Sequence, residues 1–408
     1  MRLMAMSKKL NRSLGLPLVT LYGLGNILGA GIYVLVGKVA GVAGSSTVLS
    51  FLVAMIIAGL TAFSYMELAG RYPASASVSV YLHRAFGKRW LSVGIGLAMI
   101  AGGITSASAL AKGFAGYLTT IVSMPEVLAS IALLILVGLL AAKGIGESAI
   151  VAGLFTLVEI TGLILIIYVG RNSLGTIDTN SLLSLDQSVG LSGLIGGAFL
   201  AFYAFIGFED MVNVAEETKN PQRTMPLAIL FSLIISTALY LAVAIIAITV
   251  VSPAELAQSK APLALVFSRA SGSNAFFLTI IGISAAINGV VVQVIMGSRV
   301  LYGLSKQGWI DKRFAKVDAT TKTPLLATIL IVGLMIAGVL LLPLVSLARL
   351  TSLIVLSIFG MVNISLILIK RKHKTHGGLI TIPTIIPYLG ALSCTLIVLY
   401  ELRSVIFP

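Results

Sequence analysis

The chain has 408 residues, of which 58% are hydrophobic and only 10% are charged. A soluble protein of this size needs more surface charge, so the composition predicts a polytopic protein embedded in membrane lipid. The net charge of +14 does not indicate nucleic-acid binding, because Lys and Arg lie in short connections between apolar runs. The single cysteine, Cys394, excludes an intrachain disulfide and a CxxC metal or redox motif.

Eleven apolar runs are long enough to cross a bilayer, which takes about 20 mostly apolar residues. They lie near residues 14–43, 47–70, 91–119, 127–143, 148–170, 192–216, 225–251, 274–299, 324–342, 344–370 and 380–402. The first run is too long for a signal peptide, so we interpret it as an uncleaved span. The longest connections are predicted to be polar loops: 71–90, 171–191, 252–273 and 301–323. No connection is long enough for a soluble domain, so residues 1–408 are treated as one transmembrane domain.

The distribution of basic residues predicts the orientation of these spans. With the N-terminus inside, 21 Lys and Arg residues fall on the inner side and five on the outer side. Cytoplasmic loops are enriched in Lys and Arg. The sequence therefore predicts a multi-pass protein of the cell (plasma) membrane with a cytoplasmic N-terminus.

Two of the apolar runs are interrupted. The first break is the segment 25–33, GNILGAGIY, and the second break is the segment 202–210, FYAFIGFED. Clustered glycine loosens a helix, and an acidic pair is costly in lipid. Interrupted spans in corresponding positions of two halves point to the binding site of a secondary transporter. Packing of small residues explains the first break alone equally well.

Each break opens a set of five spans, 14–170 and 192–370, and the span 380–402 is additional. An odd number of spans per set inserts the second set upside down. The spacing therefore predicts an all-α integral membrane protein with a LeuT-type 5+5 inverted repeat, about eleven transmembrane helices, and discontinuous helices 1 and 6.

Glu159 lies eleven residues from each end of the span 148–170. A carboxylate at that depth is expensive and is a functional hypothesis by default. It suits a proton carrier, and the alternative is a protonated acid that hydrogen-bonds between helices. Asn288 is a candidate hydrogen-bonding partner toward the first break.

Glu209 and Asp210 end the second break. If the helix resumes after Gly207, both carboxylates lie within the membrane; if the span ends at Phe208, both are cytoplasmic. The apolar residues that follow favour the intramembrane position for Glu209. They do not decide between the intramembrane and the cytoplasmic position for Asp210.

Enzyme and pump motifs are missing from the sequence. It contains no HExxH metalloprotease motif and no GxxxxGK[ST] phosphate loop. We therefore predict no enzyme activity, no metal and no cofactor, and expect transport to use an ion gradient or exchange.

The chain resembles the amino acid–polyamine–organocation (APC) superfamily, and within it the cationic-amino-acid-transporter-like permeases of bacteria and archaea. The similarity covers essentially spans 1 to 10. Besides the two breaks, its motifs are YMELA at 65–69, PASAS at 73–77, the pair 216–217 with KNP at 219–221, and RVLYGLS at 299–305.

This resemblance implies amino acid transport by alternating access and a set of backbone contacts. Amides beside the first break would bind the substrate α-carboxylate: Ala30, Gly31 and Ile32. Carbonyls around both breaks would bind the α-amino group: Ile27, Tyr203 and Phe205. The Tyr203 ring would help occlude the substrate, and Glu209 matches an acidic position tied to gating or proton response.

Similar proton-coupled permeases carry a lysine at the position that aligns with Glu159. The reversed charge leaves three roles open for this carboxylate: it binds a cation, takes up a proton, or pairs with a cationic substrate. Proton symport or exchange is the prediction. The alternatives are a polyamine or organic-cation carrier, an amino acid exporter, and a membrane sensor that transports nothing.

Overall fold

The computed structural model describes residues 12–73, 77–143, 149–176, 184–318, 320–321, 323–372 and 380–406. Within those residues the chain forms fourteen α-helices and no strand. The helices are α1 Leu16–Ala43, α2 Thr47–Arg71, α3 Ser77–Phe86, α4 Arg89–Leu118, α5 Glu126–Ala142, α6 Ala149–Gly170, α7 Gly190–Phe202, α8 Pro221–Val250, α9 Pro253–Gln258, α10 Pro262–Ser271, α11 Phe276–Lys306, α12 Leu325–Leu341, α13 Leu344–Lys372 and α14 Ile385–Ile406.

Seven helical stretches are long and apolar enough to cross a membrane, and the first of them, Leu16–Arg71, contains both α1 and α2. Three shorter apolar helical stretches, Glu126–Ala142, Gly190–Phe205 and Leu325–Leu341, accompany them. Each of the eleven predicted runs contains one of these helices. The prediction of an all-α multi-pass membrane protein is therefore confirmed.

Two connections predicted as polar loops contain helices, and that part of the prediction was wrong. Helix α3 buries an apolar stripe at helical spacing, from Val78 through Tyr81 and Leu82 to Ala85, against the bundle. Helices α9 and α10 begin at prolines, which fit the first turn of a helix. All three are too short to span a bilayer and too polar overall to resemble a span. Residues 74–76 of the PASAS motif lie outside the described part of the chain.

Both breaks depart from α-helical geometry. Within α1, Gly29 has φ −10° and ψ −160°, so the helix is interrupted there. Helix α7 ends at Phe202 and is followed by a 3-10 turn, Tyr203–Phe205, and by extended backbone at Ile206. Gly207 has φ 131°, a conformation that favours glycine. The chain then continues as a 3-10 helix, Met211–Glu217, rather than as an α-helix.

A buried ion cluster fixes one end of α2. Glu67 is fully buried and accepts hydrogen bonds from Arg71 Nε at 2.9 Å and from the backbone N–H of Ile382 at 2.9 Å. Lys370 Nζ lies 2.8 Å from the same carboxylate and also donates to the Ile382 carbonyl. The cluster joins α2, α13 and the segment that leads into α14.

A hydrogen-bonded clasp lies at the opposite end of α2. The Asp186 carboxylate accepts from the Ser45 backbone N–H at 2.9 Å, and the Asp186 N–H donates to Ser46 Oγ at 2.8 Å. Hydrogen bonds from Ser188 and Ser45 hold the pKa of Asp186 below its usual range. The clasp attaches the segment before α7 to the turn between α1 and α2.

We expect Glu67→Gln to destabilise the protein by about 3–5 kcal/mol, because it removes a buried carboxylate from two cations. The measurement is the melting temperature of the purified protein in detergent. The matched control is Glu126→Gln, whose ion pair with Lys260 is solvent-exposed and contributes about 0–1 kcal/mol. Equal melting temperatures for the two variants would contradict the assigned importance of the cluster.

Candidate functional site

The two breaks touch each other backbone to backbone. A Cβ atom on Gly31 would lie 2.9 Å from the Cα atom of Ala204. A Cβ atom on Gly207 would overlap the carbonyl group of Asn26. Glycine at these two positions therefore allows the interrupted segments to approach without intervening side chains.

Tyr240 of α8 holds both breaks together. Its hydroxyl lies 2.6 Å from the Ile27 carbonyl oxygen and 2.8 Å from the Ala204 carbonyl oxygen, and donates to both. The Phe205 ring packs edge-on against the Tyr240 ring, with centroids 5.2 Å apart. One fully buried side chain thus satisfies a carbonyl from each interrupted segment.

A cavity of about 480 Å³ lies against both breaks, and we call it the central cavity. The first break contributes Asn26, Ile27 and Gly31 to its wall, and the second contributes Tyr203 and Gly207. Helices α4 and α11 complete the wall.

A second cavity of about 420 Å³, the side cavity, shares four wall residues with the central cavity: Ser106, Ile206, Asp210 and Gln293. Its other walls include Tyr65 of α2 and Val78 of α3, so it extends toward the Glu67 end of the bundle. Ser106 and Tyr203 exchange a hydroxyl hydrogen bond of 3.0 Å at the junction.

The predicted site residues fall into three groups. Four of them line the central cavity: Ile27, Gly31, Tyr203 and Asn288. Glu209 lines the side cavity and is 8% exposed. Ile32, Phe205 and Glu159 are fully buried and are not among the residues lining either cavity. The side chain of Ala30 lies outside the described part of the structure.

Glu159 joins three helices beside the central cavity. Its carboxylate accepts a hydrogen bond of 3.3 Å from Asn288 Nδ2 of α11. Its backbone carbonyl accepts a 2.6 Å hydrogen bond from the Tyr33 hydroxyl of α1. The Tyr33 carbonyl in turn accepts from Tyr117 at 2.7 Å. Glu159 therefore connects Asn288 of α11 with Tyr33 of α1.

Glu209 is bound into the second break itself. Its carboxylate accepts a 2.8 Å hydrogen bond from the Gly207 backbone N–H, which the interruption of the helix has freed. Asp210, whose position the sequence left open, is 6% exposed and lies within the bundle. Both acids are therefore buried beside the cavities.

Two buried polar atoms in the central cavity wall have no hydrogen-bond partner in the described part of the chain: Asn26 Nδ2, a donor, and Gln293 Oε1, an acceptor. Buried polar groups are normally paired, so each orphan calls for an explanation. Sequence reasoning missed Gln293 as a site residue. The available signal was a polar amide within an apolar span, five residues after Asn288. No group of three or more His, Cys, Asp and Glu residues suited to a metal occurs in the part of the chain described.

Comparisons with known proteins identify relatives of this chain. The amino acid permease family profile matches residues 14–407. The chain is 30% identical to the branched-chain amino acid permease BcaP of Bacillus subtilis, over 96% of this chain and 88% of that protein. It is 28% identical to the methylthioribose transporter of the same species, over 95% and 88%. It is 31% identical to the vacuolar cationic amino acid transporter 2 of Arabidopsis thaliana, over 79% and 54%.

The family match and the transporter names of these relatives indicate a membrane transporter rather than an enzyme. The family match covers nearly the whole chain. The chain belongs to the amino acid permease family, and the predicted membership of the APC superfamily is confirmed.

We expect Gly207→Ala to abolish stabilisation of the protein by its substrate. The substitution strains a backbone with positive φ, at about 1–3 kcal/mol, and forces the breaks apart. Ligand-dependent melting in detergent measures the effect. Gly303→Ala is the control, because its Cβ atom would enter open space on α11. Substrate stabilisation that survives in Gly207→Ala would show that close contact of the breaks is dispensable.

We expect Tyr240→Phe to cost about 1–3 kcal/mol of stability, because two buried carbonyls lose their shared donor. The variant should also bind substrate more weakly, since the breaks are no longer joined. Thermal melting with and without substrate gives both quantities. Tyr168→Phe, on an exposed part of α6, should match the wild type. A Tyr240→Phe protein with wild-type melting behaviour would refute this role of the hydroxyl.

Proposed function

We propose that this protein is a secondary active transporter that moves amino acids across the plasma membrane by alternating access. One observation carries the proposal: a single central cavity is bounded by the backbone of both breaks. Helix interruptions at a cavity expose peptide groups that recognise charged substrate groups. The side cavity adds space for a substrate side chain.

In this proposal the first break binds the α-carboxylate through the amides of Ala30, Gly31 and Ile32. Freed N–H groups at the start of a half-helix favour an anion. The unpaired Asn26 Nδ2 supports the assignment, because it adds a donor to the same wall. Carbonyls of both breaks, around Ile27, Tyr203 and Phe205, accept from the α-amino group.

The proposed transport cycle uses the two five-helix sets, 14–170 and 192–370, as inverted repeats, with 380–402 as an additional helix. The N-terminus is cytoplasmic. The side cavity then leads from the substrate toward the cytoplasm, and Tyr203 closes over the substrate. The Asp186 clasp lies on the outer side.

Glu159 and Glu209 are proposed as the coupling and gating carboxylates. Glu159 is supported by its hydrogen bond to Asn288, because a change in its protonation alters contacts among α1, α6 and α11. Glu209 is supported by its hydrogen bond to Gly207, which makes the shape of the second break depend on this carboxylate. Proton symport or exchange follows as the coupling mode.

The test is uptake of labelled amino acids into proteoliposomes under imposed gradients. We expect an inward proton gradient to drive uptake and a sodium gradient to leave it unchanged. Glu159→Gln should retain amino acid exchange, but its rate of proton-driven uptake should fall at least about tenfold. Groups that transfer protons typically contribute about 10²–10⁴-fold to rates.

Glu255→Gln is the matched control, because this exposed carboxylate pairs only with Arg269 among the described residues. It should keep both activities. Uptake driven by sodium and indifferent to pH would refute proton coupling. Absence of both uptake and exchange for every amino acid would refute the transport proposal itself.

A further inference from the structure

Asp210 is a buried acid whose carboxylate has no hydrogen-bonding or ion-pairing partner among the described residues. Its side chain is 6% exposed, and no residue in the described ranges donates a hydrogen bond to its carboxylate or forms an ion pair with it. Its neighbour Glu209 differs, because the Gly207 N–H binds that carboxylate. A buried carboxylate without a countercharge is costly unless something else pairs with it.

The position of Asp210 identifies where the missing partner would lie. Asp210 lines the central cavity and the side cavity at once, so it lies where the two cavities adjoin. A ligand that extends from one cavity into the other must pass this residue. The missing partner is therefore expected to come from the ligand.

Gln293 presents a second unpaired acceptor at the same junction. Its Oε1 atom is buried, has no hydrogen-bond partner within the described ranges, and belongs to a residue that lines both cavities. Gly103 of α4 faces it: a Cβ atom on Gly103 would lie 2.9 Å from Gln293 Oε1. The absence of a side chain on Gly103 leaves this oxygen within reach of the cavities.

We propose that Asp210 and Gln293 form a cation subsite that binds a second positively charged group on the substrate. Two acceptor side chains, one of them negatively charged, suit an ammonium or guanidinium group, because such a group carries several N–H donors. This inference rests on the proposed function, which already assigns the substrate carboxylate and α-amino group to the breaks. The cation subsite implies that the substrate is an amino acid with a cationic side chain.

Three ligands separate the chemical groups involved. L-Lysine carries the side-chain ammonium, L-norleucine lacks it, and cadaverine keeps both ammonium groups but lacks the carboxylate. Affinities are measured by ligand-dependent melting and by competition for exchange in proteoliposomes, using the full chain. We expect lysine to bind more tightly than norleucine and cadaverine.

The decisive variant is Asp210→Asn, which keeps the side-chain shape and removes the charge. We expect lysine affinity to fall by at least about 30-fold, or about 2 kcal/mol at 1.4 kcal/mol per tenfold, as for loss of one partner of a buried charge pair. Norleucine affinity should stay within about twofold. Gln293→Leu should lower the affinity for lysine by about tenfold, as expected for the loss of a hydrogen bond to a charged group.

Asp311→Asn is the control, because Asp311 is exposed in the connection after α11 and is remote from both cavities. It should behave as the wild type. If Asp210→Asn weakens the binding of lysine and of norleucine equally, the subsite proposal is overturned. If that variant does not fold, equal binding of lysine and norleucine by the wild type would overturn it as well.

Two other outcomes distinguish this inference from the proposed function. Binding of norleucine but not lysine would leave amino acid transport standing and remove the cation subsite. Binding of cadaverine in preference to lysine would retain the subsite and replace amino acids by amines as the substrate. If no amino acid or amine binds, the transport proposal fails and the subsite fails with it.

Discussion

The structure depends on satisfying backbone polar groups that two interrupted helices expose inside a membrane protein. Unpaired peptide groups are costly where water is scarce, so a break persists only where other groups pair with it. Tyr240 donates to carbonyls of both breaks, and Glu209 accepts from the Gly207 N–H. Gly31 and Gly207 allow the two segments to touch. The breaks are thus built as one unit rather than as two independent defects.

This arrangement explains why polar groups concentrate at the cavities. Asn26 on the first break contributes an unpaired donor, and Gln293 on α11 contributes an unpaired acceptor. The same cavity therefore offers complementary groups to a zwitterion. Elsewhere, polar contacts are closed within the protein: Glu67 is bound by two cations, and the Asp186 clasp binds the opposite end of α2. Within the described residues, the unpaired amide atoms of Asn26 and Gln293 lie instead in the wall of the central cavity.

Much of this could be predicted because membrane spans and their interruptions leave strong signals in one sequence. Each apolar run predicted an apolar helix, and the glycine cluster around Gly29 predicted the first break. Helix α3 was missed because its buried stripe is short and its remaining residues are polar. Gln293 was missed because a single amide in an apolar run has no spacing that distinguishes a cavity wall from a packed interface. The pairing of Tyr240 with both breaks joins residues 213 positions apart, which no local pattern encodes.

Three carboxylates near the breaks take different roles because their hydrogen bonds differ. Glu159 accepts from Asn288 and connects α6 with α11, while Glu209 accepts from the backbone of its own segment. Both carboxylates thus bind groups of the protein itself. Asp210 follows Glu209 directly in sequence, yet the turn after Gly207 places it at the junction of both cavities. A charge at that position acts on whatever occupies the cavities. The break thus separates a carboxylate that binds its own backbone from one that lines both cavities.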